Sequence, residues 1–420
     1  MKKIIVALML LPLLSIAQVT AVTDPSKGMK FEHNLSWSEI QAKAKAENKF
    51  IFMDCFTTWC GPCTYMTNNI FPLPEVGGFF NDKYIMVKVQ LDTTAKDNEA
   101  VKGWYQDGHD IAAKYEVRAY PTYLFFDPNG NVVHRAVGSS DAATFLTKAK
   151  DALNPETQYY TQLKKYQDGN KSPEFLKKLA LVSLGAYDMK NATSISAEYI
   201  ATQKDLFTKD NLEFIDKFTS KSKDKGFDLM FNNTAKVDAV LGKGKAEEKI
   251  MNIIIQEDVY PVILKRNATT APDFTALAST LTNKYPAYAE ELTGKSKVIY
   301  YQYKGDWNNF QSEVVAYMKK YGEKAGANEL NSYAWTIFEN CKDMTCVSEA
   351  LEWSKRSFKD KQNPMFIDTY ANILHKLGKT KEAIEWEEKA VALVDNATEK
   401  KTYQDTLDKM KKGEKTWTDK

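Results

Sequence analysis

Histidine is scarce in this 420-residue chain. The four present, His33, His109, His134 and His375, are scattered without the spacing of metal ligands. That pattern argues against a histidine-built metal centre and leaves each as a surface or packing residue. Charge of one sign is missing too: 57 Lys and Arg against 55 Asp and Glu leave a formal net charge of +2. A near-neutral surface of mixed sign is not built to take nucleic acid or an anionic membrane as its main partner. Beyond the amino terminus no apolar run is long enough to cross a bilayer. Cysteine is limited to five residues, Cys55, Cys60, Cys63, Cys341 and Cys346. In an oxidising compartment that count reads as two pairs and one left over.

What is present begins with a leader. Lys2-Lys3 form a positive region, Ile4 to Leu14 an apolar one, and Ser15-Ile16-Ala17 a small-residue cleavage site before Gln18. Residues 1–17 are therefore expected to be a secretory signal. The alternative, a membrane anchor, is disfavoured because the run is too short to span comfortably, and no lipid-accepting cysteine stands at the cleavage site. Export to the periplasm is expected, with the extracellular space as the alternative. Loss of the signal removes Lys2 and Lys3 and no acid, so the charge falls from +2 to zero.

The chemistry gathers at Trp59-Cys60-Gly61-Pro62-Cys63, which follows the strand-like run Phe50 to Phe56. Two thiols three positions apart on a first helical turn can close into a disulfide ring and reopen. The helix N-terminus lowers the pKa of the first thiol and favours the thiolate that attacks disulfides. Pro62 fixes φ for helix entry and gives up an N–H that would lack a helical partner anyway. Half of a zinc site is the competing reading, but no second pair of ligands lies nearby, so neither a metal nor a cofactor is expected. Asp54 stands in a strand of Phe, Ile and Met, where a carboxylate is costly unless paired or used. Its bland alternative is a solvated strand-end acid with Lys88 unrelated to it. Cys55 reads as a small buried hydrophobe, pointing to the opposite face from Asp54.

This five-residue motif resembles the thioredoxin active site, and the likeness extends from near Trp37 to Leu153. Asp54, six residues before Cys60, is similar to the buried acid of thioredoxins, and Lys88 to its companion lysine. Arg118-Ala119-Tyr120-Pro121-Thr122 resembles the segment with the family's cis-proline, Asp127-Pro128-Asn129-Gly130 its hairpin turn, and Gly138 a glycine after the last strand. Ile70 to Leu91 looks closer to a secreted subgroup that includes the periplasmic domain of transmembrane thiol-disulfide interchange proteins. The resemblance implies catalytic roles for Cys60 and Cys63, with Asp54 helping Cys63 lose its proton and Lys88 tuning it. It implies a substrate rim of Trp59, Gly61, Pro62, Tyr120 and Pro121. There are departures: Cys55 stands where phenylalanine is usual, Asn68 where a proline kinks the helix, and Tyr120 where a smaller aliphatic is typical.

The coarse layout is a lead-in over 18–35 and a thioredoxin-like domain over 36–154, an α/β fold with helices on both faces of a mixed sheet. Ser36 to Glu39 reads as a cap before a helix to Glu47. Strands are expected over Lys49 to Phe56, Ile85 to Leu91, Tyr123 to Phe126 and Val132 to Val137. Helices are expected from Cys60 to about Ile70 and from Ala142 to Leu153. Thr93 to Tyr115, with Trp104 and His109, exceeds what such a domain needs and is expected on the surface near the active-site rim.

After Asn154-Pro155 strand-like runs vanish. Amphipathic helical segments follow over 155–328, then two helix pairs over 329–400 and a charged tail over 401–420. Ser332 to Ile337 matches Thr369 to Leu374, and Glu349 to Trp353 matches Glu382 to Trp386. The second copy resembles a tetratricopeptide repeat, although Glu387 stands where an aromatic is usual. Cys341 and Cys346, in the longer connection of the first copy, are expected to form a structural disulfide, the alternative being two free thiols packed against the repeat.

The expectation is an all-α, repeat-like region behind an exported thiol-disulfide oxidoreductase. It would be a reductase rather than an oxidase or isomerase, acting on protein disulfides and fed by a membrane thiol donor. The alternative is a redox-sensing scaffold whose helical part binds a partner protein.

Overall fold

The computed structural model describes residues 27–265 and 270–418. The expected secretory signal lies outside the described residues. The chain forms two compact units, divided between Lys204 and Asp205.

The first unit is built on a five-stranded sheet in the order β1-β3-β2-β4-β5. The strands are β1 (Phe31–Glu32), β2 (Phe50–Phe56), β3 (Tyr84–Gln90), β4 (Thr122–Phe126) and β5 (Val132–Val137). β2 sits at the centre, parallel to β3 and antiparallel to β4. Its sequence, rich in aromatic and other apolar residues, suits a strand covered on both faces. Phe52 faces Phe80, Tyr123 and Phe145 on one side, while Ile51, Met53 and Cys55 pack with Ile40, Val89 and Phe126 on the other. Asp54 and Cys55 thus occupy opposite faces, as strand alternation requires.

Helices cover both faces. α1 (Trp37–Glu47) opens on a capping box, with the Ser36 N–H donating to Glu39 Oε2 at 2.8 Å and the Glu39 N–H to Ser36 Oγ at 3.4 Å. α2 (Gly61–Tyr65) runs into a π-helical turn at Met66–Ile70, so the active-site helix widens where the proline of related sequences is replaced by Asn68. α3 (Pro74–Lys83) leads into β3. The expected surface insertion instead contains two helices, α4 (Glu99–Lys102) and α5 (Tyr105–Lys114). Ile111 belongs to the core on the α1 face, half-buried Trp104 packs against it, and a Cβ on Gly108 would come within 3.2 Å of the Val89 side chain. Glycine at this position lets α5 lie close to β3 without displacing the Val89 and Leu91 side chains. α6 (Ala142–Leu153) follows the β4–β5 hairpin.

The unit continues past Asn154 through α7 (Tyr159–Gln167), α8 (Pro173–Gly185) and α9 (Met189–Thr202). The backbone N–H of Tyr159 donates to Nδ1 of buried His134 on β5 at 3.0 Å, and the Tyr159 hydroxyl donates to Asp188 at the start of α9 at 2.8 Å. Burial pushes His134 down to about 4, which keeps the imidazole neutral and able to accept that bond.

The second unit is helical throughout its described residues, from α10 (Lys209–Phe218), α11 (Lys225–Asn232), α12 (Thr234–Leu241) and α13 (Lys245–Ile254) onward. It goes on through α14 (Tyr260–Ile263), α15 (Phe274–Lys284), α16 (Ala289–Lys304) and α17 (Trp307–Tyr321). α18 (Ala327–Asn340) with α19 (Met344–Ser357), and α20 (Pro364–Lys376) with α21 (Thr380–Ala392), are the two helix pairs anticipated from the internal repeat, and α22 (Ala397–Lys411) packs on α21. The matched segments fall on equivalent helices, and Ala334, Ala350, Ala371 and Ala383 are fully buried, letting the paired helices approach. Gly378, with φ +79°, turns the chain between α20 and α21. No helix among the described residues is long and apolar enough to cross a membrane.

Candidate active site

The end of β2 and the start of α2 deliver the two reactive sulfurs to one place. Cys60 and Cys63 are joined in a disulfide, and both are 4 % exposed. Cys60 is the N-cap of α2, and its sulfur accepts the backbone N–H of Cys63 at 3.1 Å. A sulfur in that position is stabilised as an anion by the helix N-terminus once the disulfide opens. Pro62 occupies the first turn, and Gly61 and Pro62 are exposed beside the sulfurs.

The rim is aromatic. Trp59 is 72 % exposed, and its ring meets that of Tyr120 edge-on at 5.7 Å. The Tyr120–Pro121 peptide is cis, as anticipated, and Pro121 O accepts the Gly138 N–H at 2.9 Å. Behind the rim, the Thr58 backbone N–H and hydroxyl both donate to Asp92, whose Oδ1 lies 2.9 Å from the amide. Asp97 accepts from the Tyr105 hydroxyl at 2.6 Å and from Thr94 and Gln90. These bonds hold the carboxyl of Asp97 below the usual range. They also tie the Asp92–Asp97 loop to α5, and Asp92 anchors the Thr58 turn beside Trp59, a link that sequence spacing alone did not reveal.

Asp54 is 1 % exposed, and Lys88 is its register partner on β3. The ammonium of Lys88 stands 3.4 Å from Asp54 Oδ2, donates to Thr67 Oγ1 at 2.7 Å and lies 4.8 Å from the centroid of the Phe56 ring. Asp54 Oδ1 has no hydrogen-bond partner among the described residues. Burial raises the Asp54 carboxyl to about 6, with the charge of Lys88 pulling the other way. The acid is paired with Lys88 and buried, not solvated. Cys55 is also fully buried, and burial pushes its thiol up, away from any reactive role.

Cys341 and Cys346 are remote in sequence from this site. Both are buried free thiols in this structure, where a structural disulfide was expected.

Residues 37–153 match the thioredoxin-like domain family. A thioredoxin of Echinococcus granulosus is 31% identical over 103 residues, which are 24% of this chain and 78% of that protein. The thiol:disulfide interchange protein DsbD of Pseudomonas fluorescens is 28% identical over 107 residues, 25% of this chain and 16% of that one. Among solved structures, a candidate disulphide-isomerase from Bacteroides thetaiotaomicron is 36% identical and covers 30% of this chain and 94% of its own, with a TM-score of 0.25. The chain spans about half the length of several other curated thioredoxins that it matches.

Proposed function

The chain belongs to the thioredoxin-like family, and from that premise we propose that it is an exported thiol-disulfide oxidoreductase that reduces protein disulfides through Cys60 and Cys63. The observation that carries this reading is the Cys60 sulfur capping α2 and accepting the Cys63 N–H at 3.1 Å, next to the exposed Trp59, whose ring meets that of half-buried Tyr120.

In the reductive direction the Cys60 thiolate attacks a substrate disulfide. A Cys60–substrate S–S bond forms, and the other substrate sulfur leaves and takes up a proton. Cys63 then gives up its proton, attacks Cys60 and expels the second substrate sulfur, leaving the Cys60–Cys63 disulfide. Two electrons and two protons pass from the dithiol to the substrate. Asp54 is the acceptor for the Cys63 proton. At about 6, its carboxyl is ionised at neutral pH yet basic enough to take a proton, and Oδ1 has no other donor among the described residues. The backbone at Tyr120 and cis-Pro121 receives an extended substrate strand, and Trp59, Gly61 and Pro62 complete the contact surface.

The reductive direction is supported by the Gly61-Pro62 pair, which resembles that of thioredoxin, near about −270 mV, more than that of a strong oxidant near about −120 mV. Export to the periplasm is supported by the charge and apolar pattern of residues 1–17. An exported reductase must itself be re-reduced, and a membrane dithiol conduit is the proposed donor. The helical unit selects substrates, since its helix pairs offer the extended surfaces suited to peptide recognition. The test is turnover: with a recycled dithiol donor, catalytic amounts of protein should reduce a model disulfide protein repeatedly. A single stoichiometric oxidation of Cys60 and Cys63 would defeat the proposal.

A further inference from the structure

A second pair of sulfurs lies at the connection between α18 and α19. Cys341 is the C-cap of α18 and Cys346 lies in the first turn of α19, so the short connection folds one thiol back onto the other. The Cys341 thiol donates to Gln311 Oε1 at 2.8 Å and has the Asp343 carbonyl at 3.5 Å, and the Cys346 thiol is its hydrogen-bonding neighbour. The ammonium of Lys376 donates to the Cys341 carbonyl at 2.8 Å, placing a positive charge beside the same residue.

This is not the setting of a packing cysteine. Cys55 shows what that looks like: it is enclosed by Ile51, Met53, Val89 and Phe126, and burial drives its thiol up. Cys341 instead stands among polar atoms, and its interaction with the Cys346 thiol holds it below the ordinary thiol range. It also lines a cavity of about 290 Å³ together with Lys376, Trp417, Met344 and Thr418. Met344 is 44 % exposed and Thr418 is exposed, so the cavity has a wall at the protein surface.

We propose that Cys341 and Cys346 are a second, reversible dithiol–disulfide couple, oxidised by low-molecular-weight disulfides that enter this cavity. Cys341 attacks the small disulfide, forming a mixed disulfide and releasing one thiol. Cys346 then attacks the Cys341 sulfur and releases the second thiol. Two protein thiols become one Cys341–Cys346 bond, and the small disulfide leaves as two thiols carrying both protons and both electrons. Cys341 is the attacking sulfur because it lines the cavity, and Cys346, which does not, is positioned to resolve. The inference stands apart from the activity proposed for Cys60 and Cys63 and survives if that proposal fails.

The test uses the full chain with Cys60 and Cys63 replaced by serine, equilibrated in mixtures of reduced and oxidised glutathione, alkylated and digested with trypsin. Lys342 lies between the two cysteines, so a Cys341–Cys346 bond links the peptides 325–342 and 343–355 covalently. The linked pair should rise from roughly a tenth to roughly nine-tenths of the material across the titration and return on adding reductant. In the same background Cys346→Ser should trap glutathione on Cys341, and Cys341→Ser should leave Cys346 largely unmodified. Alkylated free thiols at every ratio would overturn the proposal, as would a bond that persists in excess reductant. Trapping on Cys346 in place of Cys341 would overturn the order of attack.

Discussion

Asp54 and Lys88 are register partners on adjacent parallel strands, and 3.4 Å separates the carboxylate from the ammonium on one face of the sheet. The pair is unequal. Asp54 is buried, whereas Lys88 reaches a partly open site where it also meets Thr67 and the Phe56 ring. The lysine therefore offsets only part of the cost of burying the acid, and the carboxyl remains raised to about 6 from an ordinary 3.8.

A raised carboxyl pKa in the folded state has a definite sign. Below about pH 4 the group is protonated whether folded or unfolded and costs nothing. As pH rises toward about 6 the unfolded chain ionises first, and stability is lost. Asp54→Asn should therefore leave the thermal transition of the first unit little changed at pH 4 and stabilise it at pH 8, by at most about 3 kcal/mol. The same variant should lose roughly tenfold in turnover at pH 7.5. The unaltered protein should fall in rate below about pH 6, and the variant should lose that fall. Calorimetry and a pH–rate profile check both, and equal stability gains at pH 4 and pH 8 would contradict the burial argument.

The two sulfurs should part company under mutation. Cys60→Ser is expected to abolish reduction of a model disulfide protein, because the attacking thiolate is gone. Cys63→Ser should stop turnover but leave Cys60 covalently linked to substrates, visible as adducts on non-reducing gels. Equal loss without adducts in the second variant would reverse or void the assignment.

In the second unit Glu387 on α21 is fully buried against Asp368 on α20, with Asn372 and Tyr403 as the other polar neighbours. Burial, then the charge of Asp368, raises Glu387 to about 10, so the two acids hold one proton between them at neutral pH. The folded state keeps a proton that the unfolded chain releases above about pH 4.5, so stability falls as pH rises from there to about 10. Glu387→Gln retains a donor for Asp368 without the proton. It should stabilise α20 and α21 by roughly 1–3 kcal/mol at pH 8 and little near pH 4. Hydrogen exchange of those helices measures it, and a pH-independent effect would rule out the shared proton.

Much of the first unit was legible because its signals are local. The apolar run Phe50 to Phe56, the Ser36–Glu39 box, the Asp127 to Gly130 turn and the Cys-x-x-Cys motif each depend on neighbours in sequence. β1 escaped because two residues carry no periodicity, and only pairing with β3 makes them a strand. The segment holding α5 was expected at the surface because Thr93 to Tyr115 exceeds what such a domain needs. Its packing rests on Ile111, on Trp104 just before it and on a glycine that permits close approach. The Glu387–Asp368 contact joins residues nineteen apart on two helices, and no local pattern announces it. Nor does sequence show that Tyr159 donates to His134, which carries the first unit past Asn154.

That last contact makes truncation informative. A chain ending at Lys204 should keep the reduction potential and small-disulfide activity of the whole protein. A chain ending at Asn154 exposes the buried His134 nitrogen and removes the buried Tyr159, and should melt lower by several kcal/mol equivalents of stability. In a Cys63→Ser background, the Lys204 form should capture fewer or different native proteins than the full chain. Identical adducts from both would show that the helical unit has no part in substrate choice.

The reduction potential of the Cys60–Cys63 pair, titrated against glutathione or dithiothreitol buffers in the full chain, is the most direct test. A value nearer about −270 mV than about −120 mV is expected, fitting a protein that passes electrons to substrate disulfides. A value near about −120 mV would make the pair an oxidant and contradict the proposed direction of catalysis.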